Sequence, residues 1–397
     1  MTTFESKLSI VLAVLVTILN GSLPAFCEES SAVSTTGDTA IQKFVETTNI
    51  QSADAEAAAS TKTAEPEAKC GSEAAKSAVD GSKESRTEYL DCIKQTTGKD
   101  KKIAPLVQKK GNKPVVALVL GGGGTRGAAH VGVLRVLEKE GIKPDMVVGT
   151  SMGAIVGGFY CAGISVDKIE EAFRNSSLMK HFMTVSIPVR ILLAPVLLAP
   201  RLFVHPYDGL YAGGKFRKFL YAMLPEDEKK IEDLKLPFAA VAVNLLDGNV
   251  HALTSGSLAY AMQASSAVPS LRKPVEIGDY LFCDGAMIEN VPVGEARRLG
   301  ADIVIAVNVD EQFDTLDKRD FRKIGSVAKR IVGLQLYNMD RPLTEKADVT
   351  IHPITTGISL ISRNKGDAIK AIDAGIKATE EAIPAIRKAI ETQAGNI

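Results

Sequence analysis

Val115-Val116-Ala117-Leu118-Val119-Leu120 runs straight into Gly121-Gly122-Gly123-Gly124-Thr125-Arg126-Gly127, and Met146-Val147-Val148 runs into Gly149-Thr150-Ser151-Met152-Gly153. Each apolar, β-branched run has strand length and stops at glycine. Behind the first lies a helical pattern with Val133, Leu134 and Leu137 on one face and Gly141 at its C-terminal cap. Behind the second, Ala154 to Cys161 reads as a helix closed by Gly163. Strand, glycine turn and helix, taken twice, predict a βαβα unit around a parallel sheet.

Later segments extend the pattern. Strands are expected at Phe238–Leu245, Val250–Leu253, Tyr280–Cys283, Ile303–Val309 and Asp348–Ile351. Helices are expected at Ser257–Ala267, which stops before Pro269, at Val293–Leu299, and at Asp367–Ile390, where Pro384 should interrupt it. The fold class that follows is α/β, a three-layer sandwich with a mainly parallel central sheet.

The rest of the chain reads differently. Leu8 to Leu19 is an uncharged apolar run after Lys7, with Ala25-Phe26-Cys27 at its exit, which is the shape of a secretory signal over residues 1–27. An N-terminal membrane anchor is the alternative, weakened by Asn20, Gly21 and Pro24. Residues 28–112 are rich in Ala, Ser, Thr, Glu and Lys, a tail or linker too polar to offset its ordering entropy. Cys70 and Cys92 are placed to pair in an oxidising compartment, around a short helix over Asp80–Lys94. The basic cluster Lys99–Lys113 reads as a solvated hinge or as a contact with anionic lipid. A catalytic domain over 113–392 remains, and export to the periplasm, cell envelope or medium is the expected localisation.

Composition excludes several classes. With 47 basic against 47 acidic residues, no basic face is available for nucleic acid. Five Cys and no CxxC pair exclude a disulfide scaffold and give no sign of a zinc site.

The two glycine turns are not equivalent. Gly122-x-Gly124-x-x-Gly127 fits a dinucleotide fingerprint, but the acidic residue wanted at the end of the next strand is missing. No GK[ST] follows, so a Walker loop is excluded. The second turn is a GxSxG: Gly149 and Gly153 permit a tight strand-to-helix elbow that exposes the Ser151 hydroxyl. On that reading Gly122, Gly123 and Gly124 supply amides to an oxyanion, and the first turn holds no nucleotide.

Two bases are open to Ser151. A triad in hydrolase order requires a late histidine, and His352 is in that position. The alternative is Asp284, in Cys283-Asp284-Gly285-Ala286, where Gly285 gives the backbone room to turn the acid toward the serine.

The ordered set GxGxxG, GxSxG and Asp284-Gly285-Ala286 resembles the patatin-like phospholipases, and most the bacterial branch related to the neuropathy target esterase catalytic domain. Asn290-Val291-Pro292 after the tripeptide adds to the likeness, whereas Glu289 stands where many members have a second Asn. The resemblance implies a lipid acyl hydrolase of phospholipase A or lysophospholipase type, with Ser151 as nucleophile, Asp284 as base, a Gly122–Gly124 oxyanion hole and no metal or cofactor. It implies a phospholipid or other acyl-ester substrate and contact with a membrane surface. An acyltransferase on the same two residues is an alternative, as is a dinucleotide-binding protein using the first turn.

Supporting residues have plainer readings too. Arg126 either braces the glycine loop near a phosphate or pairs with a carboxylate at the sheet edge. His130, Cys161 and Cys283 read as packed residues, Asp310 as a pocket or turn residue. The apolar Ile187–Val204 is either a buried hairpin or a lid over the acyl chain.

Overall fold

The computed structural model describes residues 105–109, 111, 113–184, 207–311, 316–322 and 326–395. The signal, the Cys70–Cys92 pair, the Asp80–Lys94 helix and the Ile187–Val204 segment lie outside the described residues. The strands are β1 Val116–Leu120, β2 Met146–Thr150, β3 Phe238–Asn244, β4 Asn249–Leu253, β5 Val275–Ile277, β6 Tyr280–Asp284, β7 Ile303–Val307 and β8 Val349–Ile351. They form one sheet in the order β5-β6-β3-β2-β1-β7-β8, with β4 also paired to β3. The run from β3 through β2, β1 and β7 to β8 is parallel, and β4, β5 and β6 pair antiparallel.

The helices are α1 Ala129–Lys139, α2 Met152–Cys161, α3 Val166–Arg174, α4 Ser177–Phe182, α5 Gly214–Met223, α6 Leu258–Ser265, α7 Val293–Arg298, α8 Ser326–Thr344 and α9 Lys365–Gly395. Period-2 alternation divides the core. Val116, Leu118, Leu120, Val147, Ile303 and Ile305 face the α1, α2 and α9 side, packing with Leu134, Ile155 and Ile372. Val115, Ala117, Val119, Val148, Val304 and Ala306 face the other side, against Val293 and Ala296 of α7 and Leu299 at its end. The result is a mixed α/β domain, helices on both faces of a mainly parallel sheet.

The C-terminal helix departs from the sequence reading. Pro384 sits inside α9, which continues through it to Gly395. Proline inside a helix costs about 3 kcal/mol, but burial on either side of it, at Ala371, Ile372 and Ile386, holds the helix together. α9 also lies in backbone contact with α1: a Cβ on Gly132 would stand 2.2 Å from the Ile372 carbonyl oxygen, and one on Gly375 2.0 Å from that of Ala129.

The register of β3 decides where the motifs meet. Ala240 and Val241 pair with β2 and with β4, so those two strands occupy opposite edges of β3. Ala242 to Asn244 pair with β4 and with β6, so β6 takes the same edge as β2, just beyond its end. The two strands therefore abut: Thr150 ends opposite Val241 and Asp284 ends opposite Ala242.

Candidate active site

Ser151 follows β2 at this junction with φ 53 and ψ −117, a rare conformation for a non-glycine residue and the hallmark of a tight elbow. Its flanking glycines are required by contact. A Cβ on Gly149 would lie 2.6 Å from the Gly153 carbonyl carbon, and one on Gly153 only 2.0 Å from the Leu120 carbonyl oxygen. The Ser151 N–H donates to Ser265 Oγ at 2.9 Å, and that hydroxyl donates to the Val241 carbonyl at 2.6 Å, so α6 clamps the elbow onto β3.

Ser151 Oγ donates to Asp284 Oδ2 at 2.6 Å. The other carboxylate oxygen of Asp284 accepts from the Ala286 N–H at 2.9 Å, which closes the Asp-Gly-Ala turn. Gly285 is needed there because a Cβ would come within 2.5 Å of the Val241 carbonyl oxygen. Asp284 is fully buried. Burial pushes its pKa up to about 7, against the opposing hydrogen bonds from Ser151 and Ala286.

The glycine loop passes over the same point. A Cβ on Gly122 would fall 3.0 Å from Ser151 Cβ, and one on Gly127 2.3 Å from Met152 Cγ. The three loop amides differ in use. Gly122 N–H is held by Asn290, through Oδ1 at 3.0 Å and the backbone carbonyl at 3.3 Å, and is thus not free for a substrate. This corrects the expectation that Gly122, Gly123 and Gly124 all offer donors. Gly123 and Gly124 N–H have no acceptor among the described residues.

The remaining residues brace this arrangement. Arg126 donates through Nε to the Ile358 carbonyl at 2.8 Å and pairs with Glu311 at 2.9 Å, so it ties the loop to the segment after β8. The Thr125 N–H donates to the Leu360 carbonyl at 2.9 Å, so this loop amide is already engaged within the chain. His130 Nε2 meets the Gly121 carbonyl at 2.8 Å, and its full burial holds the ring's pKa down at about 4, so it is neutral. Nothing brings His352 to Ser151: its Nε2 lies 3.1 Å from the Asp310 carbonyl. Cys161 and Cys283 are buried free thiols, and burial pushes Cys283 up to about 12. Among the described residues no group of three or more His, Cys, Asp or Glu is placed to hold a metal ion. A cleft of about 500 Å³ lined by Tyr160, Cys161 and Glu228 lies at the far end of α2 from Ser151 and contains none of the motif residues.

Sequence reasoning missed Ser265, which carries no motif, and the partners of Asn290, whose amide nitrogen reaches Asp310 at 3.0 Å and Asp340 at 2.8 Å.

Residues 118–297, which hold all three motifs, match the family model of the patatin-like phospholipases. Over these residues the chain is similar to a patatin-like phospholipase domain. Similar proteins include human "Patatin-like phospholipase domain-containing protein 6", 33% identical over 50% of this chain and 14% of that protein. The "Neuropathy target esterase sws" of Drosophila melanogaster is 30% identical over 50% of this chain and 13% of its own length. "Lysophospholipase NTE1" of Debaryomyces hansenii is 31% identical over 49% of this chain and 12% of its own length. This chain thus spans a small part of each of these relatives. A solved structure of human GIVD cytosolic phospholipase A2 aligns over 83% of this chain and 65% of that one, with 13% identity and a TM-score of 0.43.

Proposed function

We propose that this patatin-like domain hydrolyses acyl esters of phospholipids or related lipids, with Ser151 as nucleophile and Asp284 as its base. The observation that carries the reading is the 2.6 Å bond from Ser151 Oγ to Asp284 Oδ2, made where two strand ends abut and the serine backbone is held in an elbow. Asp284 takes the hydroxyl proton while Oγ attacks the acyl carbonyl carbon. Gly123 and Gly124 N–H donate to the oxyanion, the α2 N-terminus adding its positive end. Collapse breaks the bond to the alcohol, which leaves with the proton from Asp284, and an acyl-serine remains. Water then gives its proton to Asp284 and attacks the acyl carbon; the bond to Ser151 Oγ breaks, Oγ takes the proton back from Asp284, and the fatty acid leaves. A carboxyl group pushed up to about 7 suits both halves of this cycle, because it takes and returns a proton near neutral pH.

Exposed apolar loops at the same edge support contact with a lipid surface. Leu245 and Leu246 follow β3, Met287 and Ile288 follow the Asp284 turn, and Ile354 follows β8, with Leu246 67% and Ile354 62% exposed. Among the described residues no helix is long and apolar enough to cross a membrane. The apolar stretch before Cys27 supports export.

The test is covalent labelling with a fluorophosphonate, read by peptide mass, alongside turnover of a soluble acyl ester. A label on the Ser151 peptide, with turnover lost in both Ser151→Ala and Asp284→Asn, is expected. Full turnover in either variant would overturn the assignment.

A further inference from the structure

Asn290 is 3% exposed and all of its side-chain polar capacity on the loop side is spent. Oδ1 accepts from Gly122 N–H at 3.0 Å, one Nδ2 hydrogen goes to Asp310 Oδ2 at 3.0 Å and the other to Asp340 Oδ2 at 2.8 Å. The three residues come from the turn after β6, the segment just after β7 and the body of α8, and both carboxyl groups are buried.

A side-chain amide can in principle face a backbone N–H either way round. Here two carboxyl groups converge on one end of it, and both accept. Turning the amide over would set Asn290 Oδ1 against two carboxyl oxygens and its NH2 against the Gly122 N–H. The acid pair therefore determines which end of Asn290 the loop meets.

The pair itself needs a proton. Asp340 Oδ1 is buried and meets no donor. As a carboxylate oxygen it would be an unsolvated charge, which a proton shared with the neighbouring Asp310 carboxyl group removes. Burial, and after it the neighbouring Asp310, pushes Asp340 well above the ordinary carboxyl range. Several cations on the elements packed nearby are engaged elsewhere. On α7, Glu295 pairs with Arg298 and Arg297 pairs with Asp348. Of the charges on the turn Lys318–Arg322, Arg319 pairs with Asp317. On α8, Arg341 pairs with Glu345. Glu311 is engaged by Arg126, and His352 meets only the Asp310 backbone carbonyl.

We propose that Asp310 and Asp340 are positioning residues for the reaction at Ser151: sharing one proton, they lock the Asn290 amide, which pins the first N–H of the glycine loop and so sets where Gly123 and Gly124 present theirs. The proposal rests on the serine reading above and adds to it a loop whose geometry depends on a proton held between residues of the segment just after β7 and α8. Loss of that proton at alkaline pH sets two like charges together, and they separate. The Asn290 amide then loses its orientation, and the loop donors move from the oxyanion. Misplacement of about 1 Å at a reacting centre is enough to cost about 100-fold in rate.

Asp340→Asn is the informative variant, because an amide keeps an oxygen for Asn290 and an NH2 for Asp310 but has no proton to lose. Each protein is measured per active site titrated with a fluorophosphonate, so unfolded molecules do not count. Asp340→Asn is expected to match wild-type kcat at neutral pH and to keep it on the alkaline side, where the wild type falls. Asn290→Ala and Asp340→Ala are expected to lose about 10- to 100-fold in kcat with KM little changed. If Asp340→Asn shows the wild-type alkaline limb, or Asn290→Ala retains full kcat per titrated site, the positioning role is overturned while the serine assignment stands. A wild type that neither labels nor turns over removes both.

Discussion

Ser265 Oγ stands between the Ser151 N–H, from which it accepts at 2.9 Å, and the Val241 carbonyl, to which it donates at 2.6 Å. Both bonds are buried, and together they hold the Ser151 peptide in a conformation that costs about 1–3 kcal/mol to maintain. Ser265→Ala leaves a buried donor and a buried acceptor unpaired, at about 1–3 kcal/mol of stability. The expected outcome is a lower melting midpoint together with slower fluorophosphonate labelling of Ser151. Unchanged labelling at equal folded fraction would show that the elbow holds its shape without this clamp.

Asp284 sets chemistry against stability. Its pKa is raised from 3.8 to about 7 by burial, so the folded state prefers the neutral acid. The stability tied to that preference is fully present below about pH 4 and is lost as pH rises through 7. A shift of this size corresponds to about 4 kcal/mol. Asp284→Asn is neutral at every pH and keeps an oxygen for the Ala286 N–H. It should therefore be inactive yet more stable than wild type at pH 8, with the difference fading as pH falls toward 4. Chemical denaturation at the two pH values measures this, and equal stability at both would contradict the buried-charge account.

Local chemistry explains what the sequence made legible. The four central parallel strands, the two glycine turns and the Asp-Gly-Ala turn are all short-range patterns, since each depends on residues a few positions apart. The meeting of Ser151 with Asp284 needs the register of β3, where β2 and β6 share one edge, and no local pattern encodes that. The family likeness supplied it instead. Asp340 was illegible for a different reason: it lies on α8, whose period is blurred by Pro342 near its end, and its partners are 30 and 50 residues away. Gly122 could be assigned as a free donor from its motif, because only the folded chain brings Asn290 to its N–H. Pro384 misled in the opposite direction, since packing of α9 outweighs a local breaker.

The apolar loops make a prediction separable from catalysis. Leu246 and Ile354 are exposed at the sheet edge that carries Ser151, and neither takes part in the hydrogen bonding of the site. Leu246→Glu and Ile354→Glu should lower binding to phospholipid vesicles in a sedimentation assay while turnover of a water-soluble ester stays at the wild-type value. Vesicle binding that is unaffected by both changes would place lipid contact elsewhere on the molecule.

The pH profile distinguishes two acids that titrate together. In the proposed mechanism Asp284 must be ionised to take the serine proton, so kcat/KM should rise with pH through about 7 and fall away below it. Glu289, close in sequence to the site, is also raised to about 7, by burial and then by Glu295. Its side chain accepts from the Gly294 N–H, while its carbonyl accepts from Thr150 Oγ1 at 3.2 Å. His130 stays neutral above about pH 4 and adds nothing to this limb. Glu289→Gln removes the second acid without touching the Ser151–Asp284 bond, so the acid limb should persist at the same position with kcat near wild type. If the limb instead disappears in Glu289→Gln, the titrating group is Glu289, and Asp284 must work as a base from a pKa well below 7.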